Sequence, residues 1–457
     1  MSSVAFDLVI RGDVVTADTV ISDAFVAVRD GAIAQVGAGA APAADRVDDH
    51  RGCLLFPGLV DAQVHAGSYE GISGLRDATR AAAAGGVTTI VDMPFDEPQP
   101  VNDVDLLDAK IAKVGELAAV DVALYVTARK DRDYAPLARM AARGACAIKL
   151  STYEYHPVRF PRFDTGEMHE IFREAKGLGL PVAFHNEDQE LVDHFLKQVL
   201  DRGDRSPGAH GASRPPVAEL VANAQILELA AATGVRCHIV HCSLAAGFAM
   251  ARDYRARGAR ITAETCLQYL VFNEEDVRKQ GAFLRQNPPL RSEAERLRLW
   301  ESLERGDVDL LSTDHVAWPV HRKSDPDIFK NGAGVPGLET LLPVLYTALA
   351  ERALSPCIVA QVCARNPARH FGLARKGEIR PGADADIAVL RRGETAFDQA
   401  RMTSSIKWSP YHGRPLAGRV TATYLRGERI FADGAVSAQP GYGRFVTPER
   451  VGAREGS

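Results

Sequence analysis

Apolar positions along the chain keep two spacings. Between about residues 55 and 370, short continuous apolar runs alternate with stretches in which apolar residues recur every third or fourth position. The runs are LLFPGLV (54–60), VTTIVDM (87–93), VDVALYV (120–126), CAIKL (146–150), PVAFH (181–185), HIVH (238–241), RITAET (260–265) and DLLST (309–313). Runs of that length read as strands buried on both faces, and the stretches between them as amphipathic helices. Within 103–119, Val104, Leu107, Ile111, Val114 and Ala118 share one helical face, as do Met168, Ile171, Phe172 and Ala175 after Lys149. Eight strands alternating with helices predict a parallel (β/α)8 TIM barrel rather than an open sheet.

The chain ends follow another rule. DLVIRGDVVTAD (7–18) and AFVAVRDGAIAQVG (24–37) are rich in Val and Ile, with Gly12 and the Asp30-Gly31 pair as turn signals. The pattern returns in DADIAVL (384–390) and VTATYLRGERIFADG (420–434), where Gly427 marks a hairpin turn. The predicted fold is therefore α/β: a small β-sandwich domain built from residues 1–55 and 375–457, and a catalytic (β/α)8 barrel over 56–374. The polar end, about 445–457, is expected to be loose. DRGDRSPGAHGASRPP (201–216) reads as a long loop inside the barrel. GAGAAP (37–42) lacks the third glycine and the following helix of a dinucleotide loop, and reads as a turn.

Composition removes several function classes. The 54 basic and 59 acidic residues are interspersed, giving a net charge of -5, and no basic block with interleaved aromatics is present; nucleic acid is not an expected partner. No segment is apolar enough to span a bilayer, and the N-terminus lacks a basic stretch followed by an apolar one, so neither a membrane nor a secretory route is expected. Seven cysteines without a CxxC pair read as buried thiols. The expected setting is the cytoplasm.

In a barrel of this type, side chains that do chemistry project from the C-terminal ends of strands. Gln63 and His65 follow the first predicted strand, Lys149 lies in the fourth, His185 closes the fifth, His241 closes the sixth and Asp314 follows the eighth. A lone histidine is usually a surface or satisfied core residue, and the chain has thirteen. His50, His156, His169, His194, His210, His321, His370 and His412 are left in that class. His238 precedes His241 by three residues, so on one strand the two would face opposite ways; His241 is the terminal one. Nitrogen and carboxylate groups at successive strand ends are what a catalytic zinc-type site requires.

The same residues resemble a known family. FPGLVDAQVHAG (56–67) is similar to the opening motif of amidohydrolases, normally PG-hydrophobic-hydrophobic-D-x-H-x-H. RAAAAGGVTTIVDMP (80–94), ACAIKLSTY (145–153), VAFHNED (182–188), IVHCS (239–243), AETCLQYL (263–270), NPPLRS (287–292) and STDH (312–315) follow in the order of the hydantoinase, dihydropyrimidinase and allantoinase group. SRPPVAE (213–219) and NPARHFGL with KGEIRPGADADIAVL (366–390) extend the likeness over nearly the whole chain. The resemblance implies that Lys149 takes up CO2 to become a carbamate (N6-carboxylysine) bridging Zn2+ ions. It places His185 and His241 on one ion and His65, Asp314 and Gln63 on the other. It makes Asp314 the proton-transferring catalytic residue, and it places Tyr153, Tyr155 and Asn287 against a small cyclic amide substrate. Water activated by the metal would open a hydantoin, dihydropyrimidine or related ring, and the protein would be a homo-oligomer, a tetramer or dimer.

Two positions depart from the family pattern. Gln63 stands where the first histidine of the HxH pair is expected, and a neutral amide oxygen is a weaker zinc ligand than imidazole. Either one or two ions follow, or a non-catalytic oligomeric paralogue with an impaired site. Glu154 occupies the place of the oxyanion-binding tyrosine, between Tyr153 and Tyr155. The QYL string at Gln268-Tyr269-Leu270 points to L-hydantoinase-like enzymes, with allantoinase as the alternative. Tyr69, Phe160 and Phe163 lie in segments expected to rim the pocket, which suggests an apolar or aromatic ring substituent.

Overall fold

The computed structural model describes residues 6–449. Four strands open the chain: β1 (Leu8–Val15), β2 (Val20–Arg29), β3 (Ala32–Ala38) and β4 (Arg46–Pro57). Eight follow in the middle: β5 (Leu59–Val64), β6 (Val87–Asp92), β7 (Asp121–Val126), β8 (Ala147–Ser151), β9 (Val182–His185), β10 (Cys237–Ile239), β11 (Ile261–Cys266) and β12 (Leu310–Ser312). The last four are β13 (Ile387–Ala396), β14 (Pro415–Leu425), β15 (Glu428–Ala432) and β16 (Ala435–Val436).

The two chain ends share one sheet, in the order β16-β15-β14-β13-β4-β1-β2-β3. Its centre is β4, parallel to β1 and antiparallel to β13. Strand alternation sorts its residues into two faces. Leu8 and Ile10 of β1 share one core with Val26, Leu55, Val389 and Tyr424, whereas Val9 packs on the other side with Phe25 and Ala27. Sheet halves from opposite chain ends thus enclose a common interior.

The middle strands lie side by side in sequence order from β5 to β12, all parallel. The ring closes between its first and last members. His65 N–H donates to the His315 carbonyl at 2.9 Å, and the Asp61 carboxylate accepts from Thr313 N at 3.2 Å and Thr313 Oγ1 at 2.6 Å. Burial raises the Asp61 carboxyl to about 7 against these hydrogen bonds. Helices begin where the sequence supplies caps: Asp103 accepts from Asp105 N at the start of Val104–Leu117, and Asp164 with Glu167 forms a capping box on Thr165–Leu178.

Several sequence expectations are corrected. The run 54–60 is two elements, because Phe56 and Pro57 pair with β13 while Leu59 belongs to the barrel. The crossing falls at Gly58, where a Cβ would collide with the Thr88 side chain. The stretch 201–216 contains a helix, Pro207–Ser213, and the next helix starts at Pro216. Both prolines stand in the first turn, where the missing N–H and preset φ favour starting a helix. Residues 445–449 are not loose at their start: Val122 N–H donates to the Arg444 carbonyl and Val446 N–H to the Val122 carbonyl, each at 2.9 Å. The expectation for 450–457 lies outside the described residues. The apolar face of 104–117 also includes a buried Lys110, whose ammonium meets Asp92 at 2.7 Å and Asp96 at 2.8 Å.

The two sheets are fastened by charge at the end of the barrel where its strands begin. Lys376 Nζ lies 2.6 Å from Asp121 at the start of β7, and 2.8 Å from both Asp384 and Asp386 before β13. Arg426, after β14, pairs with Asp121 at 2.6 Å. The KGEIRPGADADIAVL string thus carries a structural joint. The seven cysteines are buried and unpaired. Among the described residues, no helix is long and apolar enough to cross a membrane.

Candidate active site

Gln63, His65, Lys149, His185, His241 and Asp314 line one pocket at the C-terminal mouth of the barrel, a cavity of about 160 Å³. Lys149 sits inside β8 and His185 ends β9, as the sequence reading placed them. Gln63 lies on β5 and His65 just past its end, whereas His241 and Asp314 stand further from their strands. β10 and β12 stop at Ile239 and Ser312, and His241 and Asp314 occupy the turns beyond. Their φ angles, +38° and +49°, lie in the left-handed region. Non-glycine residues there are strained by about 1–3 kcal/mol, a pattern that recurs at functional sites. Face alternation on one strand therefore did not separate His238 from His241. His238 lies deeper, hydrogen-bonded to Thr262 at 2.8 Å and facing Glu264 at 3.4 Å.

The pocket groups form two sets. His185 Nδ1 and His241 Nε2 stand 3.0 Å apart. On the other side, Asp314 Oδ1 lies 3.3 Å from His65 Nε2 and accepts from Gln63 Nε2 at 2.8 Å. Between them, Lys149 Nζ is buried without a partner among the described residues, as are Gln63 Oε1 and His241 Nδ1. Burial pushes His185 and His241 down, so both rings are neutral at physiological pH. Burial also lowers Lys149 to about 8, against the attraction of Asp314 and Glu264. For Asp314 burial acts upward, but the hydrogen bond and charge of His65, with His241 and Lys149, prevail and hold it well below the usual carboxylate range.

This donor set fits a divalent ion. Two nitrogen ligands of a tetrahedral zinc, each at about 2.0–2.1 Å, stand about 3.3 Å apart; the His185–His241 pair is close to that spacing. Neutral imidazoles, a carboxylate and an amide oxygen are suitable ligands, while an ammonium is not. Lys149 suits the site once its amine carries a carboxylate.

The sequence reading missed the support behind these groups. His185 Nε2 faces the Glu187 carboxylate at 2.8 Å, and Glu187 is ion-paired with buried Arg214. A proton held on Nε2 by Glu187 leaves the Nδ1 lone pair directed at His241, the usual carboxylate–histidine support of a metal site. Glu187 was visible in HNED, two residues after His185. Arg214 lay in the SRPPVAE string that carries part of the family likeness, but nothing in its spacing pointed to Glu187. Tyr155 lines the pocket with its hydroxyl 3.2 Å from both His185 Nε2 and Glu187. Tyr153 stands behind it, its ring 4.5 Å from the Arg214 guanidinium carbon. Asn287 and Phe160 line the pocket. Phe163 is instead part of the core, and Tyr69 lies outside the pocket, edge-on to Trp318 at 5.9 Å.

Glu187→Gln is expected to weaken divalent-metal affinity by about 10–100-fold, since a neutral amide neither fixes the imidazole proton as firmly nor balances Arg214. Titrating metal into stripped, folded protein measures it; unchanged affinity would remove Glu187 from ligand support.

Comparison with known proteins finds relatives over nearly the whole chain. A family model described as the amidohydrolase family matches residues 54–429. An allantoinase from Rubrobacter xylanophilus is 36% identical over 98% of this chain and 98% of its own. An L-hydantoinase from Paenarthrobacter aurescens is 31% identical over 97% of this chain and 98% of its own. Among solved structures, the L-hydantoinase (dihydropyrimidinase) from Arthrobacter aurescens superimposes with a TM-score of 0.93 at 31% identity, covering 97% of this chain and 100% of that one.

Proposed function

The chain belongs to the amidohydrolase family, and from that premise we propose that it hydrolyses an amide C–N bond in a cyclic ureide or imide, opening a hydantoin, dihydropyrimidine or related ring to an open-chain acid. The observation that carries the reading is the pairing of His185 with His241 beside an orphaned, buried Lys149 and across from Asp314.

Zn2+, one or two ions per chain, would be held by His185, His241 and carboxylated Lys149 on one side and by His65, Asp314, Gln63 and the same lysine on the other. Bound there, the metal supplies Lewis acidity and makes water available as a nucleophile near neutral pH. The protein side chains supply the rest. Asp314, ionised in the pocket, accepts a proton from the attacking water and returns it to the leaving ring nitrogen, acting as base and then acid. The Tyr155 hydroxyl, which donates to Glu187 at 3.2 Å, would turn from it to donate to negative charge developing on the ring carbonyl oxygen. Asn287 Oδ1, buried without a partner among the described residues, is an acceptor for a ring N–H. Phe95, Phe160 and Trp318 enclose the remaining volume and exclude water.

Allantoin hydrolysis is the second reading, favoured by the higher identity to the Rubrobacter allantoinase than to the L-hydantoinase. Both are tested by assaying zinc-supplied protein on hydantoins, dihydrouracil, allantoin and cyclic imides, together with metal stoichiometry and the intact mass at Lys149. Ring opening of at least one, with bound metal and added carboxylate mass, is the expected result. Absence of turnover on all of them overturns the proposal. A metal-free chain with unmodified Lys149 would favour a non-catalytic scaffold. Two ions per chain would make Gln63 a tolerated ligand, and one would centre the site on His185 and His241.

A further inference from the structure

The barrel has a second cavity at the end where its strands begin, about 550 Å³ in volume. That size falls within the range of small-molecule sites. Four arginines, Arg236, Arg255, Arg260 and Arg369, are among the residues that line it. Register explains why two of them meet. Cys237 of β10 pairs with Ile261 of β11 in a parallel ladder. The residues just before them, Arg236 and Arg260, therefore enter neighbouring strands side by side. Such strands lie about 4.8 Å apart, and like charges at facing positions repel.

The charge of the other two arginines is already met. Arg255 pairs with Asp309 at 2.6 Å and Arg369 with Glu378 at 3.2 Å. Arg236 and Arg260 have no such carboxylate among the described residues. Arg236 is half-buried and donates one N–H to the His370 carbonyl, whereas Arg260 is exposed. Burial lowers the Arg236 guanidinium from its ordinary value, the charge of Arg260 lowers it further, and no acid acts in return. The cavity thus keeps two adjacent cations without a counter-charge.

This arrangement narrows the ligand. Two positive charges on one wall call for two negative ones, and two planar forks offer paired N–H donors to oxygen atoms. A phosphate carries up to two charges on one tetrahedral centre and has oxygens enough for both forks. A monocarboxylate leaves one cation unmatched, and a dicarboxylate spreads its charges along a chain. We propose that this rear cavity binds a phosphate dianion, free or as the phosphate group of a small metabolite, between Arg236 and Arg260.

Titration calorimetry on the zinc-loaded full-length protein tests it, at constant ionic strength, with inorganic phosphate, glucose 6-phosphate and succinate as probes. Phosphate-bearing probes are expected to bind one per chain and to raise the unfolding temperature as their concentration rises. Succinate is expected to bind at least about tenfold more weakly. Tighter binding of glucose 6-phosphate than of inorganic phosphate would assign the site to a metabolite, and the reverse order to free phosphate. Arg236→Gln and Arg260→Gln should each weaken binding by about 10–100-fold, the loss of charge-assisted hydrogen bonds. Arg202→Gln, at an exposed position outside the cavity, should leave it unchanged. Without phosphate, Arg260→Gln should unfold no lower than the wild type, because it removes a repulsion, and it carries the test if Arg236→Gln does not fold. A marked drop in its unfolding temperature would make Arg260 a structural contact and count against the site. The inference is overturned if neither phosphate probe binds, or if succinate binds as tightly as they do. Unchanged affinity in both arginine variants, as for phosphate seated on the active-site metal, would overturn it equally.

Discussion

Replacing Lys149 by alanine is expected to lower ring hydrolysis by more than about 100-fold, beyond what is lost when a residue that merely supports a metal ligand is removed. The reason lies in the site's charge. The pocket gathers two neutral imidazoles, His65, an amide and a single carboxylate, Asp314, around a buried amine that has no partner among the described residues. An unmodified lysine adds positive charge where the proposed metal would sit, whereas a carbamate there would add an anion with two oxygens. Carbamate formation joins the free amine to CO2 with release of a proton, so it requires the neutral amine. Burial lowers Lys149 to about 8, which leaves on the order of one amine in ten neutral at pH 7 and about half at pH 8. Reloading of metal-stripped protein with zinc and bicarbonate should therefore accelerate as pH rises from 6.5 to 8.5. A flat profile would argue against carboxylation at Lys149. Adding a short-chain carboxylic acid to Lys149→Ala should restore part of the metal binding and activity; an alanine variant as active as the wild type would remove Lys149 from the site.

Much of this arrangement could be read from residue order, for identifiable physical reasons. Barrel strands are buried on both faces, so β6, β7, β8 and β9 appear as unbroken apolar runs, and their C-terminal residues are candidates by position alone. Gln63 and His65 are two apart, which puts both on the same side of the strand end. Reading failed where side chains meet across long separations or where the backbone leaves its strand early. β10 and β12 are three residues each, so His241 and Asp314 reach the mouth through left-handed turns that apolar periodicity does not encode. Arg214 meets Glu187 from 27 positions away, and Arg159 meets Glu97 from 62. Lys110 occupies a place on a helix face that hydrophobic spacing assigns to apolar residues, because Asp92 and Asp96 wait behind it.

Lys376→Met is expected to destabilise the fold by about 3–5 kcal/mol, the scale for removing one partner of a buried ion pair, while leaving kcat unchanged below the unfolding temperature. Lys376 is 3% exposed, and it balances Asp121 and Asp386, themselves 1% and 3% exposed, together with Asp384 at 11%. Without the ammonium Arg426 remains against Asp121 and Arg375 against Asp384, while Asp386 is left without a side-chain cation and crowds Asp121. Burial already raises the Asp386 carboxyl against the attraction of Lys376, and without the ammonium it rises further above its unfolded value. A raised carboxyl contributes stability below its unfolded pKa and loses it as pH climbs through the folded value, so the variant's deficit should be largest at neutral and alkaline pH and shrink toward pH 5. Adding Asp386→Asn to Lys376→Met should recover part of the lost unfolding temperature, because it removes one repelling charge without refilling the space. Thermal unfolding across pH measures both effects. A deficit that is independent of pH and unrelieved by Asp386→Asn would mean that Lys376 acts through packing alone. The joint lies where the barrel strands begin and the active site where they end, so a loss of kcat in folded Lys376→Met would show that anchoring the terminal sheet also sets the geometry of the mouth.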